Sequence, residues 1–222
     1  MTKIATYTRQ ENFGLITLDD GKANAFSFEM IKQVNDALDE AEKDGLVLVL
    51  TGRDGKFCAG FDLDTMKAGG DGKDRLMKEG FALSYRLMNW ATPVLLASTG
   101  HALAYGAILL LSCDYRIAED TNAKLGLNEI AIGVTMPAYG IDLVRDRLAL
   151  PHQIPALACS VLYSPKEAVN AGYLDKVVAE GTLMEEAAKL AGMLSQIDMT
   201  AHAQAKRDLR RAFLDTHKAL GA

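Results

Sequence analysis

The chain has 222 residues, 49% of them apolar and 24% charged, enough to bury the core of one ordinary domain. Its net charge of −5 at pH 7, with no long basic run, argues against a nucleic-acid partner. The longest apolar run, residues 102–113, is too short to span a bilayer, so no membrane association is expected.

Residues 1–14 carry no apolar signal-type segment, which points to a cytoplasmic protein. Cys58, Cys113 and Cys159 are an odd, widely spaced set and read as small core residues of a reducing compartment. His101, His152, His202 and His217 lack ligand spacing, so no metal is expected.

Residues 4–7 and 14–18 are expected to be short strands about a polar turn. Ser27 is placed to cap a helix whose Ile31, Val34, Leu38 and Ala41 face inward, with Gly45 at its end. A buried strand over 46–50 follows, then a turn of small residues around Gly60. With no Cβ, Gly60 can take positive φ and leave the N–H of Phe61 free. Residues 68–73, with three glycines, read as a surface loop, and residues 75–90 as a helix ended by Pro93.

The strand 94–98 and the turn 100–106 repeat the earlier arrangement, and residues 107–112 continue as a buried helix. The N–H groups near Tyr105 and Gly106 would be unpaired donors of its first turn. Residues 115–118 and 124–129 read as extended. Glu129 stands there among Leu125, Leu127, Ile130, Ala131 and Ile132, where desolvation should raise its pKa. The alternative for Glu129 is a salt bridge or a cap. Beyond Pro137 come helices over 151–163, from the capping box Ser164/Glu167 to Gly172, from a second box Thr182/Glu185 to about 197, and over 200–221. A short strand over 174–178 lies among them. The chain divides into a core, 1–180, and a C-terminal helical region, 181–222.

Two strand–turn–glycine units, each offering a backbone N–H, can hold one carbonyl oxygen as it gains charge. Lys56-Phe57-Cys58-Ala59-Gly60-Phe61-Asp62-Leu63, Gly100-His101-Ala102-Leu103-Ala104-Tyr105-Gly106 and Cys113-Asp114-Tyr115-Arg116-Ile117-Ala118 closely resemble the crotonase (enoyl-CoA hydratase/isomerase) superfamily. The resemblance implies an α/β fold, a spiral of ββα units with a C-terminal helical trimerisation region. It implies an acyl-CoA thioester substrate, no cofactor beyond the coenzyme A of that substrate, and a homo-oligomer, either a trimer or a dimer of trimers. Carried over by position, the N–H groups of Phe61 and Tyr105 would bind the thioester oxygen. Lys22, Asn24, Ala25, Ala59, Asp62 and Leu63 would bind the coenzyme A moiety, Lys22 reading alternatively as a solvated loop charge, and Gly60, Gly106 and Ile108 would be further substrate-binding positions. Ala104 and Tyr105 stand where the family usually has glycine, which should stiffen the loop and add the Tyr105 side chain to the pocket.

Hydratases of this family use two glutamates. The first position is Ile108 here, while Gly126-Leu127-Asn128-Glu129 keeps the second. One carboxylate suits a proton shuttle better than water activation, and the motifs look most like those of Δ3,Δ2-enoyl-CoA isomerases. Glu129 would take a C2 proton from a 3-enoyl-CoA and return it at C4, through a dienolate held by the two N–H groups. Two other readings stay open: a 2-enoyl-CoA hydratase despite the missing glutamate, and a non-catalytic acyl-CoA-binding protein. Met66, Leu76, Phe81, Tyr105 and Met136 could line the acyl pocket or pack in the core. Lys206, Arg207, Arg210 and Arg211 form a basic stripe, read as a solvated face or as a contact to a coenzyme A phosphate.

Overall fold

The computed structural model describes residues 2–221. Strand β1 (Ala5–Arg9) pairs antiparallel with β2 (Phe13–Leu18), and α1 (Phe28–Asp44) crosses to β3 (Val47–Gly52), parallel to β2. Ser27 caps α1 by accepting from the Met30 N–H, and Gly45 closes it in the left-handed conformation.

From β3 onward the chain repeats one unit: a strand in a large sheet, a strand in a small one, then helix. The first unit is β3, β4 (Gly55–Cys58), α2 (Leu63–Ala68) and α3 (Gly70–Met88). The second is β5 (Val94–Ser98), β6 (Gly100–Leu103) and α4 (Tyr105–Ser112). The third is β7 (Tyr115–Glu119), β8 (Leu125–Gly126), a 3-10 turn at Ile130–Ile132 and α5 (Ala138–Arg147). With β9 (Lys176–Val178), the large sheet runs β1-β2-β3-β5-β7-β9 and the small, all-parallel one β4-β6-β8. Residues 55–58 and 100–103, expected as turns, are therefore strands. Their pairing partners are remote in sequence, so nothing local marks them.

Parallel strands of the large sheet are buried on both faces, and their residues alternate between two cores. Leu48, Leu50, Val94 and Leu96 join the main core with α1 and α4. Val47, Val49, Leu95, Ala97 and Ile117 face Leu183, Ala187 and Ala191 of α8 (Leu183–Leu194). The helical region after residue 180 thus begins by covering one face of the sheet.

Several local expectations are corrected. The glycine-rich loop at 68–73 is mostly helical: Gly69 and Gly70, at φ 68° and 60°, only break α2 from α3. Packing of Leu76, Phe81 and Leu87 outweighs the poor propensity of the first turn. The helix expected to reach residue 163 is α6 (Leu150–Leu157), because Tyr163 is drawn into a bridge with Leu125. α7 (Pro165–Ala171) has the expected capping box. Thr182 makes no such box; Glu119 accepts from the N–H groups of Gly181 (2.8 Å) and Leu183 (3.4 Å) instead. The last helix is two, α9 (Met199–Leu209), capped by Asp198, and α10 (Arg211–Thr216), separated at Arg210. Cys58 and Cys113 are buried, but Cys159 is exposed. Among the described residues no helix is long and apolar enough to cross a membrane.

Candidate active site

Phe61, Tyr105 and Glu129 each lie just past the carboxyl end of a strand of the small sheet. These strands are parallel and adjacent, with β6 in the middle, at the usual spacing of about 4.8 Å. The loops of Phe61 and Glu129 therefore flank that of Tyr105, at the edge where parallel sheets bind ligands.

The first N–H is freed by pairing on its far side. The Phe26 N–H donates to the Gly60 carbonyl (2.9 Å), and the Asp62 N–H donates to the Phe26 carbonyl (3.1 Å). This bridge turns the Phe61 N–H away, and it donates to no group among the described residues. The second is freed by helix geometry. Tyr105 is the first residue of α4, so no carbonyl of the helix precedes it and its N–H has no intrahelical acceptor. A Cβ built on Gly60 would stand 3.7 Å from the Tyr105 nitrogen, so the two loops are in contact. Gly60 has φ 107° and Ala104 has φ 50°, a conformation that strains alanine.

The Tyr105 side chain does not line the pocket as expected. It is fully buried, its hydroxyl donates to the Gly80 carbonyl at 2.5 Å, and its ring stacks on that of Phe61 at 4.3 Å between centroids. The sole sequence cue to Gly80 is a glycine inside a helical pattern. Leu76, Phe81 and Met136 are also core residues, and Met66 is partly buried. A groove of about 520 Å3, lined by Thr17, Thr51, Arg53 and Glu119 among others, holds none of the expected site residues.

Glu129 forms no ion pair, and its buried Oε2 has no hydrogen-bond partner among the described residues. Burial pushes its carboxyl up to about 7, against a smaller opposing effect of the nearby backbone N–H groups of Glu129 and Asn128. The source of that burial differs from the expected one: Ile130, Ala131 and Ile132 are exposed, while Leu125 and Leu127 are enclosed. Ile108, in the first turns of α4, is buried in the main core, so no carboxylate stands there.

Of the residues expected to bind the substrate, Lys22, Ala59 and Leu63 are exposed, Ala25 is half-buried, and Gly60 and Gly106 lie inside. Asn24 is fully buried and braces the loop, its amide donating to the carbonyls of Leu18, Lys56 and Phe57. Asp62 caps α2 by accepting from Thr65. Much of the main chain here is already paired: the N–H groups of Lys22, Asn24 and Ala25 donate to the Asp20 carboxylate, and that of Ala59 to the Ala23 carbonyl, while the Lys22 side chain stands exposed.

The basic stripe splits in two. Arg207 and Arg211 are exposed, whereas Lys206 and Arg210 are buried against Asp114 at 2.7 and 3.0 Å. Arg210 also donates to the Met88 carbonyl. These two cations pin α9 to the core of their own chain, which corrects both readings of the stripe for them.

The profile of the enoyl-CoA hydratase/isomerase family matches residues 8–220. The fold is similar to that of an enoyl-CoA hydratase/isomerase family protein from Pseudomonas syringae, with 38% identity, a TM-score of 0.95, and 98% of this chain and 94% of that one covered. It is similar to an enoyl-CoA isomerase of Mycobacterium tuberculosis, with 31% identity, a TM-score of 0.94 and 99% and 96% covered. A probable enoyl-CoA hydratase of the same organism is 30% identical over 92% of this chain and 80% of its own length. With its repeated ββα units and a family profile that spans nearly its whole length, the chain belongs to the enoyl-CoA hydratase/isomerase family of the crotonase superfamily.

Proposed function

We propose that this chain is an enoyl-CoA isomerase that moves a double bond from C3 to C2 of an acyl-CoA thioester, with Glu129 as its only acid–base group. One observation carries the reading: the buried Oε2 of Glu129 has no partner among the described residues, and buried Ile108 stands where a second acid would be needed to hold water. A base with a pKa near the working pH can both take and return a proton.

The thioester oxygen binds between the N–H groups of Phe61 and Tyr105. Glu129 removes the C2 proton, the electron pair spreads over the dienolate, and negative charge grows on that oxygen. The same carboxyl then delivers the proton to C4, leaving the bond between C2 and C3. Losing either N–H donor would cost about 10²–10³ in rate. Main chain around residues 22–25 and 59–63 holds the coenzyme A moiety, and the working form is a homo-oligomer. Exposed Leu150, Ile154 and Leu209 are apolar surface for such contacts.

The second reading, water addition to a 2-enoyl-CoA, is favoured by the description of the mycobacterial relative as a hydratase. Offering 3-enoyl-CoA and 2-enoyl-CoA separately decides between them. Migration of the double bond supports isomerisation, and 3-hydroxyacyl-CoA formed from 2-enoyl-CoA supports hydration. Neither product, with tight binding of both, identifies a non-catalytic acyl-CoA binder.

A further inference from the structure

The N–H donors proposed for the thioester oxygen belong to residues whose side chains meet at one point of α3, the backbone of Gly80. The Tyr105 hydroxyl donates to the Gly80 carbonyl at 2.5 Å. The Phe61 ring lies so close over Gly80 that a Cβ there would stand 2.4 and 2.5 Å from Phe61 Cε1 and Cζ, and 3.2 Å from Tyr105 Cε2. The two rings stack on each other at 4.3 Å and 27°, and Phe26 closes the far side of Tyr105 at 4.9 Å. Only glycine at position 80 leaves room for this arrangement.

Backbone N–H groups on two loops have no intrinsic reason to hold a common aim. A buried hydroxyl–carbonyl hydrogen bond and a stacked aromatic pair each restrict their owners to one rotamer. Phe61 and Tyr105 carry such restraints on the same residues that present the N–H groups, and both restraints end on the same rigid helix. Ala104, held at φ 50° beside Tyr105, gives this loop a standing tendency to relax.

We infer that Gly80, the Tyr105 hydroxyl and the Phe61 ring form a positioning clamp that holds the two N–H donors on one oxygen, an inference that rests on the proposed thioester site. It assigns a task to a helix residue that touches no substrate. Small misplacements of aligned groups are costly to rate, on the order of tenfold to a hundredfold, and substrate affinity set elsewhere on coenzyme A should be spared.

The test uses the intact chain with hexanoyl-CoA labelled with 13C at the thioester carbonyl. Infrared difference spectra read polarisation of that carbonyl, and deuterium uptake at C2 in D2O reads proton removal. Tyr105→Phe keeps the ring and the backbone donor and removes only the hydroxyl. The expected result is a carbonyl stretch lying between the bound and free positions, C2 exchange slowed by about tenfold or more, and a Kd for hexanoyl-CoA within about twofold of the parent, as loss of aim alone implies. Gly80→Ala, which displaces the Phe61 ring, should reproduce the spectral change. If Tyr105→Phe keeps both the full carbonyl shift and the parent exchange rate, the clamp is overturned. Glu129→Gln separates the two readings: it should abolish exchange yet keep the full carbonyl shift. A parent protein that binds hexanoyl-CoA with no carbonyl shift would overturn the thioester-site reading, and the clamp with it.

Discussion

A Cβ on Gly60 would stand 2.9 Å from the Cβ of Ala104, closer than two such atoms tolerate. The donor loops thus touch through a glycine on one side and a methyl group on the other, each with positive φ. Gly60→Ala is expected to lower stability by about 1–3 kcal/mol, combining the clash with left-handed strain. Ala104→Gly should do the opposite, raising stability by about 1 kcal/mol net of the entropy lost to glycine. Urea unfolding midpoints at unchanged slope check both.

Glu129 makes the protein's stability and its activity depend on pH in opposite directions. Its carboxyl is raised from the ordinary 4.5 to about 7, so the folded protein binds more protons than the unfolded chain between those values. Stability is expected to fall as pH rises through this window, by about 3 kcal/mol in total. Glu129→Gln should flatten that slope in urea titrations at pH 4.5 and pH 8. Turnover needs the carboxylate and should rise with pH to a plateau above about 7, as an initial-rate profile will show.

Ile108 tests the division between shuttling a proton and holding water. Ile108→Glu puts a carboxyl in the main core, and stability should drop by about 2–4 kcal/mol at pH 8. If the missing acid is what sets the reaction, this variant should add water to 2-enoyl-CoA faster than the parent does. Assay of 3-hydroxyacyl-CoA against the parent decides it.

Asp114 holds the buried Lys206 and Arg210 and also accepts from the Val94 N–H at 2.8 Å. Asp114→Ala leaves two enclosed cations without a counter-charge, at a cost of about 3–5 kcal/mol. Faster proteolysis within α9 and α10 than elsewhere would show that the C-terminal helices come away first. Arg207→Ala, on the exposed side of α9, should change stability by less than about 0.5 kcal/mol.

What the sequence by itself determined is what local geometry controls. Ser27, Gly45 and Ser164 cap their helices because the partner of each lies within a turn, and the apolar run after Gly45 is the buried strand it was expected to be. The resemblance of short motifs, residues 56–63, 100–106 and 126–129 among them, placed Phe61, Tyr105 and Glu129 in a family pattern. Tertiary structure decided whatever depended on partners far along the chain. The small sheet joins strands too short to announce themselves, and Glu119 takes over the cap that Thr182 was expected to form. Lys206 and Arg210 left the solvent for Asp114, and Tyr105 turned from a pocket wall into an anchor on Gly80. A residue's type limits which bonds it can make, but burial and the nearest partner select among them, and both are properties of the packed chain.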